Sequence, residues 1–291
     1  MLFNRLLEYR SRDQLEQMTD AGRAALLADV LRLGPSEGTW LSIYELFALW
    51  PDTDARRQSM DDADRELASW DDRLRSADTS SRALFVESHL SSLARLVRSI
   101  SIHRRGDGGR SELLAVVTSS EAAHLTRLSV VRSEVGESAW QMMVRSTFLG
   151  QLQHLHVTNT VVVGNVFEEL MQSSRLPRLR CLKLIEVGMD EAYLRATSTI
   201  QTAFALQQVD FSRNLLMHDG VVALANAPWL RTVERLTLRH NHIREAEVRA
   251  LLASPAIEHM TQIDLRDNDV TESDRAALMR LAGARRVQLT L

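Results

Sequence analysis

The sequence predicts an α/β fold: a curved, right-handed solenoid with a parallel β-sheet inside and helices outside, preceded by an all-helical N-terminal segment. Three observations predict it. Apolar residues recur in six rows of common spacing, the rows stand 27 residues apart, and the apolar period between rows changes to that of a helix.

The rows run as follows. Leu125-x-x-Leu128-x-Val130-x-x-Ser133 is followed by Leu152-x-x-Leu155-x-Val157-x-x-Thr160 and by Leu179-x-x-Leu182-x-Leu184-x-x-Val187. Leu206-x-x-Val209-x-Phe211-x-x-Asn214, Val233-x-x-Leu236-x-Leu238-x-x-Asn241 and Met260-x-x-Ile263-x-Leu265-x-x-Asn268 complete them. The ninth position falls at 133, 160, 187, 214, 241 and 268, five steps of 27 without a slip. One such unit cannot bury both its strand leucines and its helix, so neighbours stack and share a core. Helices are wider than strands, so the stack curves with the sheet on its inner side.

These rows resemble the leucine-rich repeat family in its 27-residue, ribonuclease-inhibitor-like form. The resemblance implies a rigid concave face offered to a macromolecule. Residues 25–70 resemble the helical repeat-companion segment that precedes such repeats in some bacterial proteins. That likeness rests on Ala28-Asp29-Val30-Leu31, Gly34-Pro35, an aromatic helix and a charged helix ending at Trp70. It departs at Val30, where the pattern favours Trp, and at Glu37–Trp40, where it favours Arg-Gly-Glu-Phe.

Residues 1–80 lie outside the repeat phase and are expected to form a helical domain. Leu2, Phe3, Leu6, Leu7 and Tyr9 make a short amphipathic start. Asp20 can cap a helix that Gly34-Pro35 ends. Trp40–Trp50 is apolar on most sides, so it belongs at the centre of this domain. Asp54–Arg75 reads as a charged helix. The second domain, 81–291, begins with a helix over Ser81–Leu96. A degenerate capping repeat (97–124) follows, with the strand Val97-x-x-Ile100-x-Ile102 as the end strand. Repeats then start near 125, 152, 179, 206, 233 and 260. Helices are expected over Ser138–Leu149, Val163–Ser173, Glu191–Phe204, Asp219–Ala227, Glu245–Ala253 and Thr271–Ala282, with Asp190 and Thr271 as N-caps. A terminal strand at 284–291 closes the chain with no further domain.

Within each repeat the ninth residue is placed to tie adjacent loops together, because an amide both donates and accepts. Asn214, Asn241 and Asn268 fit this structural ladder, Ser133 and Thr160 fill it in part, and Val187 leaves a weak, mobile place. Residues flanking the strand leucines point to the concave side. One column reads Ser99, Arg127, His154, Cys181, Gln208, Arg235, Gln262, Arg286. The next reads Ser101, Ser129, His156, Lys183, Asp210, Thr237, Asp264, Gln288. The third reads His103, Val131, Thr158, Ile185, Ser212, Arg239, Arg266, Thr290. Six Arg or Lys stand against two acids, so this face is locally basic, while residues 52–78 carry nine acids against five arginines.

Composition narrows the function. A net charge of -3 and 45% hydrophobic residues fit a globular protein without the basic excess that nucleic acid requires. Met1–Arg10 has no secretory leader pattern and no apolar run is long enough to insert in a membrane. One cysteine, Cys181, excludes an internal disulfide framework, so a cytoplasmic location is expected. His103, His154 and His156 lack further ligands for a metal. A Cys181–His154 or Cys181–His156 thiolate pair lacks an enclosed pocket, and Cys181 reads as an exposed side chain. Asp210 and Asp264 are two repeats apart and more naturally balance Arg239 and Arg266. No catalytic set, cofactor or metal site is expected.

The expected function is a non-enzymatic protein-interaction scaffold. It binds a protein partner, with an acidic surface, through Arg127, His154, His156, Lys183, Asp210, Arg235, Arg239, Asp264 and Arg266. Alternatives are a regulatory subunit acting on a partner enzyme, GTPase-activating or inhibitory, through the loop Arg104–Arg110, and a structural subunit packing into a larger assembly by its helix side or its N-terminal domain, where any exposed ring among Trp40, Trp50 and Trp70 would matter, though all three read first as core. Oligomeric state is left open.

Overall fold

The computed structural model describes residues 12–79, 81, 83–86, 89–103, 108–162 and 164–291. The start expected over Leu2–Tyr9 lies outside them. Four helices open the described chain: α1 (Arg12–Glu16), α2 (Asp20–Leu31), α3 (Glu37–Ala48) and α4 (Asp54–Glu66). Thr19, not Asp20, caps α2. Thr19 has the extended backbone an N-cap needs, and its Oγ1 accepts from Gly22 N at 3.2 Å. Asp20 instead accepts from Trp50 Nε1 at 2.8 Å. Trp40, Ile43, Leu46 and Phe47 on α3 are buried, and Trp50 stacks on Phe47 with centroids 5.6 Å apart. Trp40, Trp50 and Trp70 are all core residues and are not free to meet a partner.

The charged helix expected to reach Arg75 stops at Glu66, because Arg75 is drawn inward. Its Nε donates to Leu96 O at 2.8 Å, its Nη1 to Leu67 O at 3.2 Å, and its Nη2 meets Asp64. These long-range bonds turn the chain after Trp70 and lead it into β1 (Ser76–Asp78). That strand pairs in parallel with β4 (Ser99–Ile102). The segment up to residue 80 is therefore not wholly helical, and the strand at Ile100 is not the edge of the sheet. The helix expected over Ser81–Leu96 is also replaced, by the antiparallel pair β2 (Phe85–Val86) and β3 (His89–Leu90) and a 3-10 turn, Ser92–Leu96. Leu84, Leu90, Leu93 and Leu96 are buried as their spacing demands. Ser91 closes the hairpin instead of a helix: its N donates to Leu84 O at 2.8 Å and its Oγ to Ala83 O at 2.6 Å.

From β4 onward strands and helices alternate. The strands are β5 (Arg127–Val131), β6 (His154–Thr158), β7 (Cys181–Ile185), β8 (Gln208–Asp210), β9 (Arg235–Thr237), β10 (Gln262–Asp264) and β11 (Gln288–Thr290). The helices are α5 (Gly108–Val117), α6 (Glu137–Arg145), α7 (Val166–Gln172), α8 (Glu191–Thr197), α9 (Met217–Asn226), α10 (Glu245–Ala253) and α11 (Glu272–Ala284). The nine strands pair in sequence order, β1-β4-β5-β6-β7-β8-β9-β10-β11, all parallel, as in a solenoid. Burial alternates along them: Leu128 and Val130, Leu155 and Val157 are buried, and their neighbours face the open side.

Three of the six expected helices, α6, α7 and α8, are shorter than the sequence spacing suggests, α10 has the expected bounds, and α9 and α11 are each one residue longer; at three helix ends a serine makes the same bond. Ser146 Oγ donates to Val117 O at 2.6 Å and Ser173 Oγ to Val144 O at 2.7 Å, and Ser254 Oγ makes the same bond to Ala225 O. Each serine ends one helix and fastens it to the end of the previous one. Asp190 caps α8 through Ala192 N at 2.9 Å, whereas Thr271 Oγ1 bonds Asp274 Oδ2 at 2.5 Å.

The N-terminal helices share one hydrophobic core with the sheet, running from Leu15 to Leu289. Polar bonds fix their seat. Asp64 joins Arg75 to Arg98, whose Nη2 lies 2.8 Å away, and Arg56 Nη1 donates to Ser92 Oγ at 3.1 Å. Burial raises the Asp64 pKa, but hydrogen bonds and charges from Arg75 and Arg98 overcome it and hold the carboxyl below the usual range. No helix among the described residues is long and apolar enough to cross a membrane.

Candidate interaction face

The open face carries the columns that the repeat spacing names, with one shift. Strand register aligns Ser99, Arg127, His154, Cys181, Gln208, Arg235 and Gln262, but the next neighbour is Gln288, not Arg286. Thr290 accordingly follows Asp264. The last helix runs to Ala284, two residues beyond the expected Ala282, and the last strand, expected from 284, starts at Gln288. Arg286 sits in the turn before it, with φ 59°.

At the exit ends of the strands the charges are paired. Arg239 Nη2 lies 2.8 Å from Asp267 Oδ2, and His240 Nε2 lies 3.2 Å from the same oxygen. Arg266 grips Asp264 with Nε at 2.9 Å and Nη2 at 2.5 Å. Burial raises the Asp264 pKa, yet the bonds from Arg266 keep it below the ordinary range. Asp210 does not balance Arg239; its Oδ1 accepts from Ser212 N at 3.0 Å and Ser212 Oγ at 2.6 Å. Asp267 is the residue that repeat reasoning missed. It stands in a further 27-residue column, Arg132, Asn159, Glu186, Arg213, His240, Asp267, every member of which has φ between 50° and 62°. The left-handed turn swings this side chain back toward the strand before it.

The entry ends differ. Arg127 and Arg235 at the entry ends, and Lys183 at mid-strand in the row of Asp210 and Asp264, have no carboxylate within ion-pair distance among the described residues, although the charges of Asp71 and Asp72 still act on Arg127. Lys183 faces Asp210 across β7–β8, but that carboxylate is turned to Ser212. Arg127 Nη2 donates to His154 Nε2 at 2.8 Å, which leaves the imidazole proton on Nδ1. The Arg127 Nε is buried without a partner. His154 is pushed down to about 4, first by burial and then by the charges of Arg127, Arg73 and Lys183. His156 is lowered by burial and by Lys183, and its Nε2 lies 2.6 Å from Thr158 Oγ1. Both rings are neutral at pH 7.

Cys181 is buried, contrary to the exposed thiol expected, because it lies in the row between His154 and Gln208. Burial raises its pKa, which opposes a thiolate nucleophile. His103 Nε2 is 2.6 Å from Ser101 Oγ. Among the described residues no group of three His, Cys, Asp or Glu is placed to hold a metal ion. Of the loop Arg104–Arg110, residues 104–107 lie outside the described chain and Gly108–Arg110 begin α5. A groove of about 1060 Å³ lies away from this face, against α3 and the β2–β3 hairpin. Its Tyr44 hydroxyl bonds Ser81 Oγ at 2.8 Å and is pushed up to about 12, chiefly by burial.

Under the exit ends runs the amide ladder. Asn214 Oδ1 accepts from Val187 N at 3.1 Å and Met189 N at 3.2 Å, and its Nδ2 donates to Leu184 O at 2.8 Å. Asn268 repeats this with Asn241 N at 2.8 Å, Ile243 N at 3.1 Å and Leu238 O at 2.8 Å. Asn241 donates to Phe211 O at 2.9 Å, but its Oδ1 is buried and unpartnered. There Leu216 takes helical angles and Met217 a left-handed one, and Met217 N reaches Asn241 O at 3.3 Å. Ser133 N donates to Thr160 Oγ1 at 3.2 Å. At Val187, which has no polar side chain, the backbone carbonyl accepts from Val162 N at 3.1 Å.

No protein-family model and no curated protein matches the chain. Among solved structures it is similar to a protein from Bacteroides fragilis, at 15% identity and a TM-score of 0.49, over 68% of this chain. The chain spans 66% of that protein's length.

Proposed function

We propose that the chain is a leucine-rich repeat protein of the 27-residue type and acts as a non-enzymatic scaffold. It binds an acidic surface of a protein partner on the concave side of its sheet. The observation that carries this reading is the set Arg127, Lys183 and Arg235, three cations on one rigid face with no acid of the chain within ion-pair reach among the described residues. A surface with unsatisfied charge of one sign attracts the other and speeds its encounter. Neutral His154 and His156 and half-buried Gln208 add hydrogen-bonding groups between the cations. Arg239, Arg266 and Asp264 are secondary in this reading, because they already neutralise one another.

The test is affinity capture from native lysate with two triple or double variants. Arg127→Glu, Lys183→Glu and Arg235→Glu together should lose a stoichiometric protein partner that the wild type retains. Arg239→Glu with Arg266→Glu should keep most of it. Loss in the second variant and retention in the first would overturn the reading.

A further inference from the structure

We propose that the segment received by this face is extended and acidic, and lies across the strands with carboxylates four residues apart. The proposal rests on the scaffold reading and names its occupant. Its geometry comes from the register. Arg127 and Arg235 stand four strand steps apart in one row, through His154, Cys181 and Gln208. Strands lie about 4.8 Å apart, so the two arginines are separated by about 19 Å. Lys183 sits midway in the row above, two strand steps from each and two residues further along its strand. That places it about 12 Å from either arginine, backbone to backbone. An extended chain advances about 3.3 Å per residue and turns alternate side chains to one face, so every fourth side chain meets the next cation.

The side chains between the cations favour an extended occupant over a helix. A helix satisfies its own backbone, whereas an extended chain presents unpaired N–H and C=O groups. Gln208 is half-buried, and its side-chain amide can both donate and accept and makes no hydrogen bond to the chain among the described residues. The His154 Nδ1–H is a further donor, fixed in that tautomer by Arg127. The cations are too far apart to converge on one phosphate. The chain as a whole carries a net charge of -3, so a long polyanion such as nucleic acid would be repelled beyond the row.

The experiment is fluorescence anisotropy on the full chain with three labelled peptides of about ten residues in a Gly/Ser background. One has three Glu spaced four residues apart, one has the same three Glu adjacent, and one has Gln in their place. Inorganic phosphate and a single-stranded oligonucleotide serve as competitors. With each surface pair contributing modestly, the spaced peptide should bind about fivefold more tightly than the adjacent one, and lose that advantage at high salt. Arg127→Ser, Lys183→Ser and Arg235→Ser should each remove part of the advantage, while Arg239→Ser should not. Circular dichroism checks that each variant is folded. Equal binding of spaced and adjacent peptides, binding of the Gln peptide, preference for the oligonucleotide, or no peptide binding would overturn the proposal. If the peptides fail but capture still depends on Arg127, Lys183 and Arg235, the scaffold reading stands and this occupant falls. If the peptides bind as expected but capture is unaffected, the scaffold reading falls and the proposal falls with it.

Discussion

The two ends of the same strands carry the same residue types and put them to different use. At the exit ends Arg239 and Arg266 meet Asp267 and Asp264, and an amide ladder fastens the loops beneath them. At the entry ends Arg127 bonds the neutral His154 and feels Arg73, Asp71 and Asp72 only at longer range, Arg235 lies between Gln208 and Gln262, and single threonine hydroxyls, Thr126 to Arg98 O and Thr261 to Glu234 O, take the place of the amides. The difference teaches that charge counted along a column is not charge available to a partner. A cation beside a carboxylate of its own chain has little left to offer, while one paired only with a neutral imidazole keeps its field.

The contrast can be broken first at the ladder. Asn214→Ala removes acceptors for two buried amides and a donor to Leu184 O. At about 1–3 kcal/mol for each group left unsatisfied, urea denaturation should report a loss of at least about 3 kcal/mol. Gln208→Ala at the entry end should change stability by less than about 0.5 kcal/mol. Equal losses would erase the structural distinction.

Acid should act next, through the entry end. His154 and His156 have pKa values below that of an unfolded histidine. The unfolded chain therefore binds more protons as pH falls from about 6.5 toward 4, and stability declines over that window. Asp64 adds to the loss at lower pH, since its folded pKa is depressed and the contribution of its ionised form disappears on protonation. Urea midpoints across the range test this. The slope should shrink in Arg127→Ser, whose charge no longer opposes protonation of His154.

The left-handed column offers a smaller effect. Arg213 holds φ 59° and Asn159 φ 50°. A residue other than Gly or Asn costs about 1–2 kcal/mol in this region, so Arg213→Gly should raise stability by up to about 1 kcal/mol after its greater unfolded entropy is counted. Asn159→Gly should gain less. Thermal unfolding of both variants gives the comparison. Smallest in stability, but sharpest for the contrast, is Asp267→Asn. Exposed ion pairs contribute about 0–1 kcal/mol, so Tm should barely move. The exit end should nevertheless gain affinity for acidic peptides once Arg239 and His240 are released.

The repeat made most of the sheet legible in advance. A fixed phase of Leu128, Leu155, Leu182, Val209, Leu236 and Ile263 leaves one way to stack the strands, and the asparagines fall where the loops need an amide. What stayed hidden was decided by contacts distant in sequence. Arg75 ends a helix early to reach Leu96 and Asp64, and Ser91 makes a hairpin of a segment with helical apolar spacing. The pairing of Arg239 was hidden for a different reason. Asp267 lies in a loop column outside the strand pattern, and only the left-handed backbone turns it onto the neighbouring repeat. Cys181 shares its column with residues that are mostly half-buried, and its burial follows from the side chains on either side of it.

The measurement that tests the central claim most directly is an NMR titration of His154, whose imidazole lies inside the field in question. It should titrate far below 6.5, near 4, shift upward in Arg127→Ser, and stay in place when Arg239 and Arg266 are both changed to Ser. A wild-type His154 titrating near 6.5, or one that responds to the exit-end arginines as strongly as to Arg127, would contradict the account of an uncompensated positive row at the entry ends.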